Sequence, residues 1–101
     1  MTLDDLIEAV TEEKLKAGTV LAYVPGRHAP LKVSIWWRQI QDAEVGHGIF
    51  GVNCVVSGGI GGKTFVYNDD FEAAKVGFKS ACETAIAVWA SKTMRPAKKP
   101  H

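Results

Sequence analysis

The sequence predicts a two-layer α+β fold of the order α-β-β-β-β-α. A four-stranded, mostly antiparallel sheet would carry both terminal helices on one face. Apolar residues recur at helical spacing near the amino terminus and again over residues 70–92. Between these helices, residues 31–38 alternate between apolar and polar side chains, as in a half-buried strand. With 101 residues, the chain is long enough for one domain with its own core.

The amino-terminal segment has the signals of a helix that begins at Thr2. Thr2 is a suitable N-cap, and Asp5 stands three residues later at the capping-box position. A one-sided apolar stripe follows at helical spacing: Leu3, Leu6, Ile7 and Val10. Lys14 would fall on this stripe, so the helix is expected to end or bend near Thr11. Gly18 is a suitable stop.

Two strands are predicted next. Residues 20–24 are a short β-favouring run, and Pro25-Gly26 predicts a type II turn with a positive φ at Gly26. Residues 31–38 form the second strand. One of its faces is expected to carry Leu31, Val33, Ile35 and Trp37, and the other Lys32, Ser34, Trp36 and Arg38.

A β-hairpin is predicted over residues 49–67. Residues 49–56 form its first strand, and the expected core set on this strand is Phe50, Val52, Cys54 and Val56. The glycine-rich residues 57–62 connect it to a strand over residues 63–67.

The last helix is predicted over residues 70–92. Asp69 and Glu72 form a capping-box pattern at its start. A narrow seam at helical spacing would pack on the sheet: Phe71, Phe78, Cys82, Ala85 and Trp89, flanked by Ala74 and Ala81. We therefore expect a single α+β domain over residues 1–92, followed by a basic, mobile tail over residues 93–101.

Composition and charge exclude several classes of protein. The chain is 47% hydrophobic with 23% charged residues, which is typical of a folded domain and not of a disordered or membrane-spanning chain. The net charge of +1 is a cancellation: residues 1–13 carry five acids and no bases, and residues 73–101 carry six bases and one acid. Two cysteines are too few for a disulfide scaffold, so a reducing cytoplasm is expected.

The second face of the strand over residues 31–38 is the main candidate site. Lys32, Trp36 and Arg38 project there together, and Tyr23 would join them in one of the two registers of the neighbouring strand. An aromatic ring flanked by cations suits a protein interface, but it also suits base stacking with phosphate contacts. A third interpretation is that Trp36 is covered by its own chain.

The glycine-rich connection is a second candidate. Ser57 stands where the phosphate-loop pattern requires glycine, and a strand follows Lys63 where that pattern requires a helix. A P-loop is therefore excluded. Its backbone N–H groups and a lysine could still contact an anion through Gly58, Gly59, Gly61, Gly62 and Lys63, whereas the simpler interpretation is a flexible hairpin tip.

No catalytic or metal-binding constellation is predicted. Cys54 and Cys82 lie in apolar settings where thiols are inert, and the histidines and cysteines lack ligand spacing. His28 and His47 could form an acid–base pair only in a fold that brings their two loops together. We expect no cofactor and no enzyme activity.

The sequence thus favours a small, non-catalytic cytoplasmic binding protein without a membrane segment. It would act on a protein partner or on itself, as a homodimer, through the open sheet face and the glycine-rich hairpin. An inhibitor or accessory protein of phage or mobile-element type is one such role. The alternative is weak nucleic-acid or nucleotide binding through Lys32, Trp36, Arg38 and the basic tail.

Overall fold

The computed structural model of the chain describes residues 2–27, 31–40, 47–56 and 62–94. Within these residues the elements are α1 (Leu3–Ala9), α2 (Glu12–Lys16), β1 (Leu21–Tyr23), β2 (Leu31–Gln39), β3 (Gly48–Val56), β4 (Gly62–Val66) and α3 (Phe71–Met94). The four strands form one open antiparallel sheet in the order β1-β2-β3-β4. The predicted α+β fold is confirmed.

The amino-terminal helix is broken in two, as Lys14 predicts. At the start of α1, the Asp5 N–H donates to the Thr2 hydroxyl while the Thr2 N–H donates to the Asp5 carboxylate, which completes the capping box. Thr11 caps α2 in turn by accepting from the Lys14 N–H at 3.2 Å. The break lets the Lys14 ammonium donate to the last carbonyl of α1, that of Ala9, instead of lying on the apolar stripe.

Gly18 ends α2 in the left-handed conformation, with φ +100°. The Thr19 N–H donates to the Lys14 carbonyl and the Gly18 N–H to the Leu15 carbonyl, which is the Schellman pattern. A residue with a side chain would be strained in this conformation, which explains why glycine stands at the end of α2.

The core lies between the helices and one face of the sheet, which we call the inner face. Four inner-face residues of β2 and β3 are almost fully buried: Val33, Ile35, Phe50 and Val52. They form one cluster with Leu6, Val10 and Leu15 of the amino-terminal segment and with Ala74, Phe78, Cys82 and Ala85 of α3. Both helical segments therefore pack on the same face, and the predicted seam of α3 is confirmed at these four positions.

The N-cap of α3 is Asp70, so the predicted capping box of Asp69 and Glu72 is wrong by one residue. The Ala73 N–H donates to the Asp70 carboxylate at 3.0 Å, whereas Asp69 lies 4.0 Å from the Lys16 ammonium. Tertiary packing favours this start, because Phe71 at the first helical position makes an edge-on contact with the ring of Phe50. The two ring centroids are 5.5 Å apart. The helix then continues to Met94, two residues beyond its expected end.

Gly26 does not have the positive φ that a type II turn requires, so that turn assignment is also wrong. Glycine is needed at this position because there is no room for a side chain. A Cβ on Gly26 would overlap the indole ring of Trp89, so the loop approaches α3 closely only because this position has no side chain.

Several predicted features lie outside the described residues. They are His28, Gly58, Gly59, Gly61 and residues 95–101 of the expected tail. None of the helices in the described ranges has both the length and the apolar composition of a membrane span.

Candidate functional site

The sheet face opposite the helices, which we call the outer face, carries the main sequence-predicted site. Side chains alternate along each strand, so the register defines this face. It comprises Ala22 of β1, Lys32, Ser34, Trp36 and Arg38 of β2, Ile49, Gly51, Asn53 and Val55 of β3, and Thr64 and Val66 of β4. All the described helices pack on the inner face, so none of them covers these residues.

Tyr23 does not join this face. It pairs with Val33 across β1 and β2, which places it on the inner face, where it packs against the core. Ala22 stands opposite Ser34 on the outer face instead. A shift of one residue in register exchanges the two faces of a strand, and the sequence left this register open.

Trp36 is held against the sheet by the neighbouring strand. It pairs with Gly51, and a Cβ at that position would overlap the six-membered part of the Trp36 ring. The ring is half-buried for this reason, and Gly51 and Ser34 are buried although no described helix lies above them. Trp36 is thus covered in part by its own chain, through a glycine of β3.

Arg38 lies over the same ring. Its guanidinium carbon is 5.4 Å from the centre of Trp36, within the range of a cation–π contact. The Arg38 side chain is exposed and has no carboxylate within ion-pair distance among the described residues. The ring therefore has the Gly51 backbone beneath it and the guanidinium over it.

The outer face is positively charged. Lys32 and Arg38 lie on it, and none of the described acidic residues does. The described acids lie within helices or next to them, and the two ion pairs of the described chain join Lys16 to Glu12 and to Asp69 on that side. Among the described residues, charge is therefore separated across the sheet, with Lys32 and Arg38 on the outer side and the acids in the helical layer.

Two buried polar atoms on the outer face have no hydrogen-bond partner among the described residues: Trp36 Nε1 and Asn53 Oδ1. An unpaired buried donor or acceptor costs about 1–3 kcal/mol. These two atoms belong to neighbouring strands, because Trp36 pairs with Gly51 two residues before Asn53. Trp37 Nε1 on the inner face is a third such atom, so unpaired polar groups occur on both faces of the sheet.

Of the predicted anion loop, the structure describes Gly62 and Lys63, and these two residues do not add a cation to the outer face. Lys63 pairs with Cys54, so its side chain lies on the inner side of β4, away from Trp36. Gly62 also belongs to β4, where a Cβ would come within 2.6 Å of the Cys54 carbonyl oxygen. Close strand pairing accounts for this glycine without an anion.

Neither thiol is activated as a nucleophile in the described part of the chain. Burial raises the pKa of Cys82 to about 12, and burial also raises the pKa of Cys54, against the opposing charge of Lys63. Both thiols are thus mostly protonated at neutral pH, which slows their reactions as nucleophiles. The described residues contain no cluster of three side chains that could ligate a metal.

A groove on the inner side of the sheet, between β4 and α3, was missed by the sequence reasoning. Its signal in the sequence is a run of small residues on one flank of the last helix: Gly77, Ser80, Ala81 and Thr84.

Comparison of the chain with protein-family models, with curated protein sequences and with solved structures returned no match.

Proposed function

We propose that this protein is a non-catalytic binding protein that takes an acidic surface of another protein on the outer face of its sheet. Arg38 and Trp36 are the central contacts, and Lys32 adds charge at the other end of β2. The observation that carries the proposal is the guanidinium of Arg38 in cation–π contact with Trp36, on a face with no described helix over it and no described acid.

An arginine held against an aromatic ring, as Arg38 is against Trp36, suits a carboxylate partner. The ring restrains the guanidinium, so less side-chain freedom is lost on binding, while its N–H donors remain available at the edge. A carboxylate can then accept two parallel hydrogen bonds from it. Trp and Arg are also the residue types that most often dominate protein interfaces.

The charge of the face bears on whether the partner is a second copy. In a homodimer through this face, Lys32 and Arg38 of one copy would lie close to Lys32 and Arg38 of the other copy, with no described acid between them. Like charges placed together in an interface cost affinity. A different, acidic protein is therefore favoured over a homodimer through this face. By covering such a surface, the chain would act as an inhibitor or a small accessory protein, as phage and mobile elements often encode.

Nucleic-acid binding is the alternative, supported by the same cations. Base stacking needs a free ring face, and Arg38 lies over Trp36 with Gly51 beneath the ring. A base could stack only after Arg38 moved, so the arrangement favours a carboxylate over a base. A reducing location such as the cytoplasm accords with the two free thiols.

A selection from a random peptide library on the immobilised protein tests the proposal. We expect enriched peptides to be rich in Asp and Glu, and Arg38→Glu to weaken their binding by about tenfold or more, as for a lost charge-assisted pair. Lys79→Glu is the matched control, because Lys79 is an exposed cation of α3 on the opposite side of the sheet.

Two results would overturn the proposal. One is that no acidic peptides are enriched, or that the enriched peptides bind the Arg38→Glu protein as well as the wild type. The other is that a labelled oligo-dT binds with strong salt dependence and competes with the peptides, which would assign the face to nucleic acid.

A further inference from the structure

The groove between β4 and α3 exists because the helix covers only part of the sheet. Helix α3 packs on β2 and β3 and leaves the inner side of β4 largely uncovered. Phe65 shows this directly: its pairing partner Val52 is fully buried, yet Phe65 itself remains 44% exposed. The resulting groove has a volume of about 420 Å³, within the ~300–1,000 Å³ range of small-molecule sites.

The walls of the groove differ in character. The floor and strand side are apolar and include Val33, Cys54 and Phe65. The helix side consists of Ser80, Thr84 and other small residues, and at Gly77 the Tyr67 hydroxyl occupies the space that a Cβ would need. Small residues on this wall keep the groove wide along its length.

The groove is lined by positive charge and, among the described residues, by no negative charge. Lys63 is the lining residue whose charged side chain lies on this side of the sheet, since the Lys32 side chain lies on the outer face, and no described acid lines the groove. Lys63 is placed over the groove by its pairing with Cys54, and its charge is close enough to oppose the effect of burial on the Cys54 pKa. The groove therefore combines a long apolar wall with a cation at one side.

We propose that this groove binds a small amphipathic anion, with its carboxylate at Lys63 and its apolar chain along the small-residue wall of α3. A medium-chain carboxylate has this chemistry. The apolar tail supplies most of the affinity by leaving water, and the lysine selects the charged head group. The site lies on the opposite side of the sheet from Arg38 and does not depend on the function proposed for the outer face.

The two cysteines provide an internal reporter of occupancy. Cys54 is half-buried and lines the groove, whereas Cys82 is fully buried in the core. Alkylation of the folded protein by iodoacetamide should therefore label Cys54 first, and loss of this labelling in Cys54→Ser verifies the signal. A molecule bound in the groove should slow the labelling.

Three probes separate the contributions of the head group and the tail: decanoate, decanol and acetate. We expect one molecule of decanoate per chain to protect Cys54. Decanol should need about a tenfold higher concentration for the same protection, and acetate should give no protection. Lys63→Gln should weaken decanoate about tenfold and leave decanol unchanged, whereas Lys79→Gln should change neither. Thr84→Leu, at an exposed wall position, should block decanoate by filling the groove.

Three outcomes contradict the proposal. The first is a labelling rate that decanoate leaves unchanged at all concentrations below micelle formation. The second is equal behaviour of Lys63→Gln and Lys79→Gln, which would make the binding nonspecific. The third is protection of Cys54 that rises with protein concentration in the absence of any probe, which would show that a second copy covers the groove at the open edge of β4.

Discussion

Trp36 lies across Gly51 of the neighbouring strand, and its ring occupies the space in which any other residue at position 51 would place its Cβ. On the opposite face of the sheet, the Trp37 ring lies diagonally over Gly48, where a Cβ would overlap both this ring and the Arg38 carbonyl oxygen. Consecutive tryptophans of β2 thus cover glycines of β3 on opposite faces. Trp36 is therefore both a contact of the proposed site and a packing element of the sheet.

Gly51→Ala should destabilise the protein by about 1–3 kcal/mol, because the new methyl group displaces the Trp36 ring. The same substitution in a Trp36→Val background should be neutral or stabilising, since alanine is favoured over glycine in a strand once the ring is absent. Urea unfolding of the four proteins measures this coupling. An equal cost of Gly51→Ala in both backgrounds would show that the ring does not fill this space.

Arg38 and Trp36 should separate binding from stability. Arg38→Ala is expected to change the free energy of unfolding by less than about 1 kcal/mol, because only an exposed cation–π contact is lost. Trp36→Ala uncovers Gly51 and should cost about 1–3 kcal/mol, below the full cost for a buried tryptophan. Thermal or urea unfolding compares the two. A larger loss from Arg38→Ala would make Arg38 structural, and the site assignment would fail.

The start of α3 allows a test with adjacent, chemically identical residues. Asp70→Ala should cost about 1 kcal/mol, because Asp70 accepts the Ala73 N–H as the N-cap. Asp69→Ala should cost less than about 0.5 kcal/mol, since Asp69 makes only an exposed contact with Lys16 at 4.0 Å. Urea unfolding of both variants measures the difference. If Asp69→Ala cost more stability than Asp70→Ala, Asp69 would be the N-cap instead.

Stability should fall at alkaline pH because of Cys82. Burial raises its pKa from an ordinary 9.0 to about 12, so the folded protein keeps the proton between these values while the unfolded chain loses it. This contribution is fully present below pH 9 and is lost as the pH rises toward 12, at up to about 1.4 kcal/mol per pH unit. Cys82→Ala should show a shallower decline of the unfolding free energy above pH 9. Parallel declines for both proteins would refute a raised pKa.

Local sequence rules determined the elements and most of the core. The capping box of Thr2 and Asp5, the break before Lys14 and the left-handed Gly18 are each decided within a few residues of the chain. The alternation in β2 and the helical seam of α3 identify the buried residues because backbone periodicity alone sets which side chains share a face. These features therefore needed no knowledge of distant contacts.

Tertiary structure decided what local patterns cannot encode. The register of β1 turned Tyr23 inward, and the packing of Phe71 on Phe50 moved the N-cap to Asp70. The position of α3 over β2 and β3 opened the groove beside Lys63. Register and helix placement depend on side chains far apart in the chain, which only the assembled fold brings together. The sequence alone thus determined the elements and their faces, whereas the geometry of both candidate sites required the fold.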